Sequence, residues 1–175
     1  MVLLELDGKI LIWIQEYIRN PVFTEIFRKI THLGDRGEIW ILIAVILLFS
    51  EKSRKAGITV LMALLLSLLF NNMFLKNVIA RVRPYEVVEG LIPLIPGPRD
   101  YSFPSGHTAS SFAAALSIYW NMPEKYGICA VILAGLIALS RLYLGVHYPT
   151  DVLGGIAGGF IAAYAAGYLI KYKDR

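Results

Sequence analysis

Between Ser140 and Asp151 the chain reads SRLYLGVHYPTD, which sets Ser140, Arg141, His147, Thr150 and Asp151 between the apolar runs 126–139 and 152–170. Ionisable side chains at the edges of such runs point to a functional site. Two further polar clusters flank apolar runs: KNVIARVRP, from Lys76 to Pro84, and PSGH, from Pro104 to His107. His147 precedes Asp151 by four residues. The imidazole can therefore donate one ring N–H to that carboxylate and keep its other nitrogen for attack. Lys76, Arg83 and Arg141 can neutralise the charges of a phosphate monoester or diphosphate end, the arginines through planar forks. Ser105 is placed to cap a helix, which aims the N–H groups of Gly106 and His107 at an anion. Gly106 also permits close backbone approach. His107 can protonate a leaving oxygen and then deprotonate a water. The chemistry that uses this whole set is phosphoryl transfer through a phosphohistidine. No carboxylate cluster is present to hold a metal, and no cofactor is expected.

Each piece also has a plainer explanation. A Lys or Arg at a helix end snorkels to the interface, Pro-Ser opens many helices, and an Asp favours any helix N-terminus. Those explanations do not account for two histidines, three basic residues and a helix start sharing one membrane face, which is where the elements put them.

The chain has 175 residues, 57% hydrophobic and 17% charged, with mean hydropathy +0.59. This composition implies an all-α integral membrane bundle, organised as one unit over 1–175. The net charge of +4 comes from basic residues beside apolar runs, where anchoring and lipid headgroups explain them without a nucleic-acid partner. The single cysteine, Cys129, can form no intramolecular disulfide. The start of the chain has no basic n-region and meets Glu5 and Asp7 early, so it is expected to be uncleaved.

Residues 1–32 read as two interfacial amphipathic helices broken at Asn20-Pro21, with a sixth span through 3–19 as the alternative. Five spans follow over 33–170, at about 33–50, 56–75, 104–120, 126–144 and 152–170. Glu51 to Lys55 (EKSRK) is expected as a charged turn, 85–100 as a loop, and 171–175 as a tail. With five spans, the ends carrying Lys76, Arg83, His107, Arg141, His147 and Asp151 all fall on one face. The opposite face would hold Lys52, Arg54, Lys55, Lys125, Lys171, Lys173 and Arg175, which suits the cytoplasm. The active face carries Lys76, Arg81, Arg83, Arg99 and Arg141, so charge alone leaves the orientation open.

Gly154, Gly155, Gly158 and Gly159 give overlapping GxxxG spacings, explained by close helix packing within the protein, with dimerisation as the alternative. Trp40, Trp120 and the tyrosines read as interfacial anchors. Asn71 and Asn72 are placed to bond neighbouring spans or the site. His32 and Asp35 are candidates for the pocket entrance.

Lys-x6-Arg-Pro, Pro-Ser-Gly-His and Ser-Arg-x5-His-x3-Asp, in this order, resemble the three signature motifs of the type 2 phosphatidic acid phosphatase (PAP2) superfamily, and every motif position is filled. The resemblance covers residues 76–151 by motif and nearly the whole chain by span pattern. It implies a metal-independent phosphatase with His147 as nucleophile, His107 as general acid and Asp151 as orienting carboxylate. Lys76, Arg83, Ser105, Gly106, His107 and Arg141 would form the phosphate pocket. It also implies a multi-pass protein of the cell membrane with its site on the extracytoplasmic face. The expected substrate is a lipid phosphate or prenyl diphosphate, undecaprenyl diphosphate first, with phosphatidylglycerol phosphate or phosphatidic acid as alternatives. An anionic-lipid transporter or flippase, using the basic cluster only to bind, is the reading from another class; a scaffold built on the glycine face is another. Nothing in the sequence sets the oligomeric state.

Overall fold

The computed structural model describes residues 2–173, with side chains over 5–171. All regular structure among them is helical. Helix α1 (Val2–Trp13) continues as a π-helical segment, Ile14–Ile18. Helix α2 (Pro21–Leu33) starts where Asn20-Pro21 interrupts the chain. The Asn20 side chain accepts from the Phe23 N–H at 2.9 Å, and Pro21 fills the first helical position, where no N–H is needed. A 3₁₀ turn (Asp35–Gly37) with Arg36 at φ 52° and Gly37 at φ 70° separates α2 from α3 (Glu38–Leu48). Then come α4 (Glu51–Ser67), a π-helical segment Leu68–Leu75, α5 (Lys76–Ile79) and α6 (Pro84–Val87). The last three are α7 (Gly106–Asn121), α8 (Glu124–Tyr143) and α9 (Pro149–Lys173).

Among the described residues, three stretches are long and apolar enough to cross a membrane: Glu51–Val87, Glu124–Tyr143 and Pro149–Lys171. Helices α3 and α7, expected as further spans, have 11 and 16 residues. Residues 85–87 of the expected loop belong to α6, and two further boundaries depart from expectation. The charged segment 51–55 is the first turn of α4 rather than a turn between helices, because Ser50 is extended and Glu51 suits the positive helix start. Residues 171–173 continue α9 instead of forming a tail, and 174–175 of that expected tail lie outside the described residues.

Helix α7 is the hub and packs against α4, α8 and α9. Small residues make this possible. Ala114, Ala115 and Ile118 of α7 meet Val60 of α4, Ala130, Ala134 and Ile137 of α8, and Trp40 and Ala44 of α3. Trp40 is thus not an interfacial anchor. It is wholly buried, and its indole N–H donates to Ser111 Oγ at 3.0 Å. A second cluster joins Ala63, Ala113, Ala162 and Ala166. Larger apolar side chains such as Leu69, Ile132, Leu139, Phe160 and Ile161 point outward, as they would towards lipid.

The clustered α9 glycines, Gly154, Gly155, Gly158 and Gly159, pack within the protein. A Cβ on Gly159 would lie 2.6 Å from the Ala109 carbonyl oxygen and 2.9 Å from the Ala113 nitrogen, both α7 backbone. Gly159→Ala is therefore expected to lower stability by about 1–3 kcal/mol. Gly167, with nothing within 4 Å of its would-be Cβ, is the control: Gly167→Ala should leave the thermal midpoint unchanged or raise it. Equal losses at both positions in detergent would refute close α7–α9 packing.

Candidate active site

The three motifs meet at one end of this bundle. Lys76, Arg83, Gly106, His107, Arg141 and His147 line a single cavity of about 640 Å³. Its other wall is apolar, from Ile41 of α3 and Leu61, Leu64, Leu65 and Leu68 along α4 and its π-helical extension. A polar floor thus opens into an apolar slot between α3 and α4.

Local structure explains how each side chain arrives. In an α-helix, residues five apart face roughly 140° away from one another. The π-helical segment 68–75 bonds i to i+5, with Lys76 N–H donating to the Asn71 carbonyl, and so brings both residues inward. Asn71 is fully buried and Lys76 is 6% exposed. Ala80, at φ 48°, then ends α5 in the left-handed region and turns Arg81 and Arg83 back towards the site. On α7, Ser105 is the N-cap, accepting from Thr108 N at 3.5 Å and from its hydroxyl at 2.9 Å. Ser105 is fully buried and is not among the cavity-lining residues. It opens the helix, while Gly106 and His107 face the cavity.

His147 sits between α8 and α9 and is 1% exposed. Its Nε2 lies 3.1 Å from Arg83 Nη1 and its Nδ1 3.3 Å from Asp151 Oδ2. A guanidinium can only donate, so Nε2 carries the lone pair and Nδ1 the proton, which points at the carboxylate. Burial, then the nearby charges of Arg83, Arg141 and Lys76, push the imidazole well below its ordinary pKa, in keeping with a neutral ring. Asp151 is the third residue of α9, and its Oδ2 reaches back to the Tyr148 N–H at 2.9 Å as in a capping box. The same oxygen accepts from Ser102 Oγ, and Oδ1 accepts from Arg81 at 2.6 Å.

Arg83 is the most connected group. It donates to the Val146 carbonyl at 2.8 Å, to the Asp100 carbonyl at 2.9 Å and to Asp100 Oδ1 at 2.6 Å, besides reaching His147. Arg141 Nη1 donates to Thr31 Oγ1 of α2 at 2.6 Å, and its buried Nε has no partner among the described residues. His107 Nε2 is 2.9 Å from Asp35 Oδ1, and Asp35 Oδ2 is 2.8 Å from His32 Nδ1. Asp35, placed at the pocket entrance by sequence, thus pairs directly with a motif histidine.

Asp100, Ser102 and Thr31 were not singled out by sequence, and Arg81 and Asp7 were noted there only as a charge on the active face and an early acidic residue. Asp100 pairs with both Lys76 and Arg83. Burial would raise its carboxyl, but the hydrogen bonds and charges of Lys76 and Arg83 prevail and hold it at about 2. It is the one acidic residue between Glu89 and Glu124, two residues before SFPSGH, and that isolation was the available signal. A folded-state value below the ordinary carboxylate range stabilises the fold above pH ~4, and the contribution is lost as pH falls towards ~2. Asp100→Asn should therefore flatten the fall in thermal midpoint across that window. An unchanged slope would mean that Asp100 does not carry it.

The described residues contain no group of three His, Cys, Asp or Glu side chains that could hold a metal. The arrangement can bind a phosphate by charge and oriented N–H groups, and presents a neutral imidazole nitrogen to it.

The sequence profile of the PAP2 superfamily matches residues 56–175. The chain is 34% identical over 128 residues to an undecaprenyl-diphosphatase of Sulfolobus acidocaldarius, covering 73% of this chain and 62% of that protein. It is 35% identical over 156 residues to phosphatidylglycerophosphatase B of Bacillus subtilis, covering 82% and 73%. Among solved structures, a transmembrane PAP2-type phosphatidylglycerolphosphate phosphatase from Bacillus subtilis superposes with TM-score 0.78 at 29% identity, over 96% of this chain and 86% of that one.

Proposed function

Because this chain belongs to the PAP2 superfamily, we propose that it is a metal-independent membrane phosphatase that acts on a lipid phosphate or prenyl diphosphate. The observation that carries the reading is the His147 ring, held through Nδ1 by Asp151 with Nε2 turned into a cavity lined by Lys76, Arg83 and Arg141. The substrate phosphate takes the three cations and the N-terminus of α7, whose free N–H groups favour an anion. As Arg83 turns its Nη1 donor from His147 Nε2 to the phosphate, the freed Nε2 lone pair attacks phosphorus and the P–O bond to the leaving group breaks. His107 gives its proton to that oxygen, and Asp151 stabilises the imidazole as it becomes cationic. A water, deprotonated by His107, then attacks phosphorus. The P–N bond breaks, phosphate leaves, and His147 returns to its neutral form.

The apolar slot beside the cavity suits a lipid chain that stays in the bilayer while its headgroup reaches the site. We assign undecaprenyl diphosphate as the preferred substrate, a headgroup that is little more than phosphate, in line with the name of the Sulfolobus relative. Phosphatidylglycerol phosphate is the alternative, in line with the Bacillus one. Helices α3 and α7 join the three long stretches as membrane segments, giving five spans. The end opposite the cavity holds Lys52, Arg54 and Lys55 at the start of α4 and Lys125 at the start of α8. A cytoplasmic location for those residues supports an extracytoplasmic site.

The test is phosphate release by the purified chain in detergent with a chelator present. Undecaprenyl diphosphate, phosphatidylglycerol phosphate, phosphatidic acid and diacylglycerol diphosphate are compared at equal surface concentration. Undecaprenyl diphosphate should be fastest. Faster release from another lipid would correct the substrate, and release from none would overturn the enzyme reading in favour of a lipid transporter.

A further inference from the structure

A buried chain of charged pairs connects the N-terminal helix α1 to the site. Asp7 of α1 is 3% exposed. Its Oδ2 accepts from Arg81 Nη2 at 2.7 Å. The other end of the same guanidinium, Nη1, donates to Asp151 Oδ1 at 2.6 Å and to Thr150 Oγ1 at 2.7 Å. The Arg81 guanidinium lies 3.8 Å over the Tyr148 ring centroid, which fixes its plane. Asp7 Oδ1 also accepts the Thr150 N–H at 3.2 Å, and Asp7 Oδ2 accepts the Thr150 hydroxyl. The pairs run Asp7, Arg81, Asp151, His147, and Asp7 lies outside the residues matched by the family profile, 56–175.

We propose that Asp7 and Arg81 are positioning residues for the reaction, so that α1 belongs to the catalytic apparatus rather than serving only as a membrane anchor. The inference rests on His147 being the nucleophile. Attack on phosphorus makes the His147 ring cationic, and Lys76, Arg83 and Arg141 already surround it with positive charge. A carboxylate on its Nδ1 side must offset that. Arg81 fixes the orientation of Asp151 but, taken alone, cancels its formal charge. Asp7 neutralises Arg81 in turn, so the set Asp7, Arg81, Asp151 presents one net negative charge behind the ring. Asp7 thereby supports the developing imidazolium without touching it. The plainer alternative is that Asp7 only satisfies a free N–H at the start of α9, and that role would not act on turnover through Arg81.

Asp7→Asn, Arg81→Met and their double variant separate the two, each made in the full chain, purified in detergent and assayed with the fastest lipid of the panel. Asp7→Asn should lower kcat about tenfold to a hundredfold, by analogy with the carboxylate partners that orient metal-ligating histidines, and leave KM within about twofold. In the Arg81→Met background, adding Asp7→Asn should change kcat by less than about twofold, because the link is already cut. If Asp7→Asn alone fails to fold, this comparison of Arg81→Met with the double variant decides, since it never leaves Arg81 buried without Asp7. The proposal is overturned by parental kcat in Asp7→Asn, by a change confined to KM, or by an equal loss in both backgrounds. His147→Gln runs alongside: if it keeps turnover, the nucleophile assignment has failed, whatever Asp7 does.

Discussion

His147→Gln is expected to lower kcat by at least about 10⁴-fold with the fold retained, because it removes the nucleophile and not merely a contact to it. Glutamine is close in length to the imidazole, and its carbonyl oxygen can accept from Arg83, so the buried guanidinium is not stranded. The same variant should abolish transfer of label from a ³²P-lipid to the protein, a label that in the parent is acid-labile and survives base. Residual turnover within about tenfold of the parent, or undiminished labelling, would place the nucleophile elsewhere.

Arg83→Lys is expected to lower kcat about 10²- to 10³-fold, the range for removing one preorganised donor from a developing negative charge. The substitution keeps the charge, so the loss measures geometry. In the structure one guanidinium holds the Val146 carbonyl that precedes the nucleophile, the Nε2 of His147, and both the main chain and the carboxylate of Asp100. An ammonium cannot span those directions from one point. Lys76→Arg should be milder, since that residue reaches a single partner, Asp100. If Arg83→Lys retains parental kcat, the planar fork is dispensable and charge alone serves at this position.

The legible parts of the molecule were those carried by local pattern. The break at Asn20-Pro21, the helix start at Ser105-Gly106 and the spacing of His147 from Asp151 each follow from a few adjacent residues, and the structure has all three. The helix glycines were readable for the same reason, since GxxxG is a pattern of one face. What sequence could not deliver depends on partners far along the chain. Nothing about Trp40 distinguishes an interfacial tryptophan from one whose N–H meets Ser111, 71 residues away. The π-helical turn that aims Lys76 inward has no composition cue of its own; LLFNNMFL reads as ordinary apolar helix. Asp7 looked like one more charge on the polar side of a surface helix, and its partners lie 74 and 143 residues on. Asp35 was noticed as polar near a span end, but its pairing with His107 spans 72 residues.

The contact of Asp100 with Lys76 and Arg83 also bears on how a headgroup is captured. Without substrate, these two cations share one carboxylate, whose side chain is 54% exposed, so the pocket keeps a net positive charge that is only partly offset. A phosphate does not fall into an empty positive well. It exchanges with an anion already in place, and gains where it offers more charge and more acceptor oxygens than one carboxylate. Free monovalent anions have little to offer in that exchange and should be poor inhibitors. A lipid substrate is confined to the bilayer, so its arrival is governed by partition of the chain into the membrane and diffusion within it. The apparent association rate should then vary little with ionic strength, unlike that of enzymes whose soluble substrates are steered by charge.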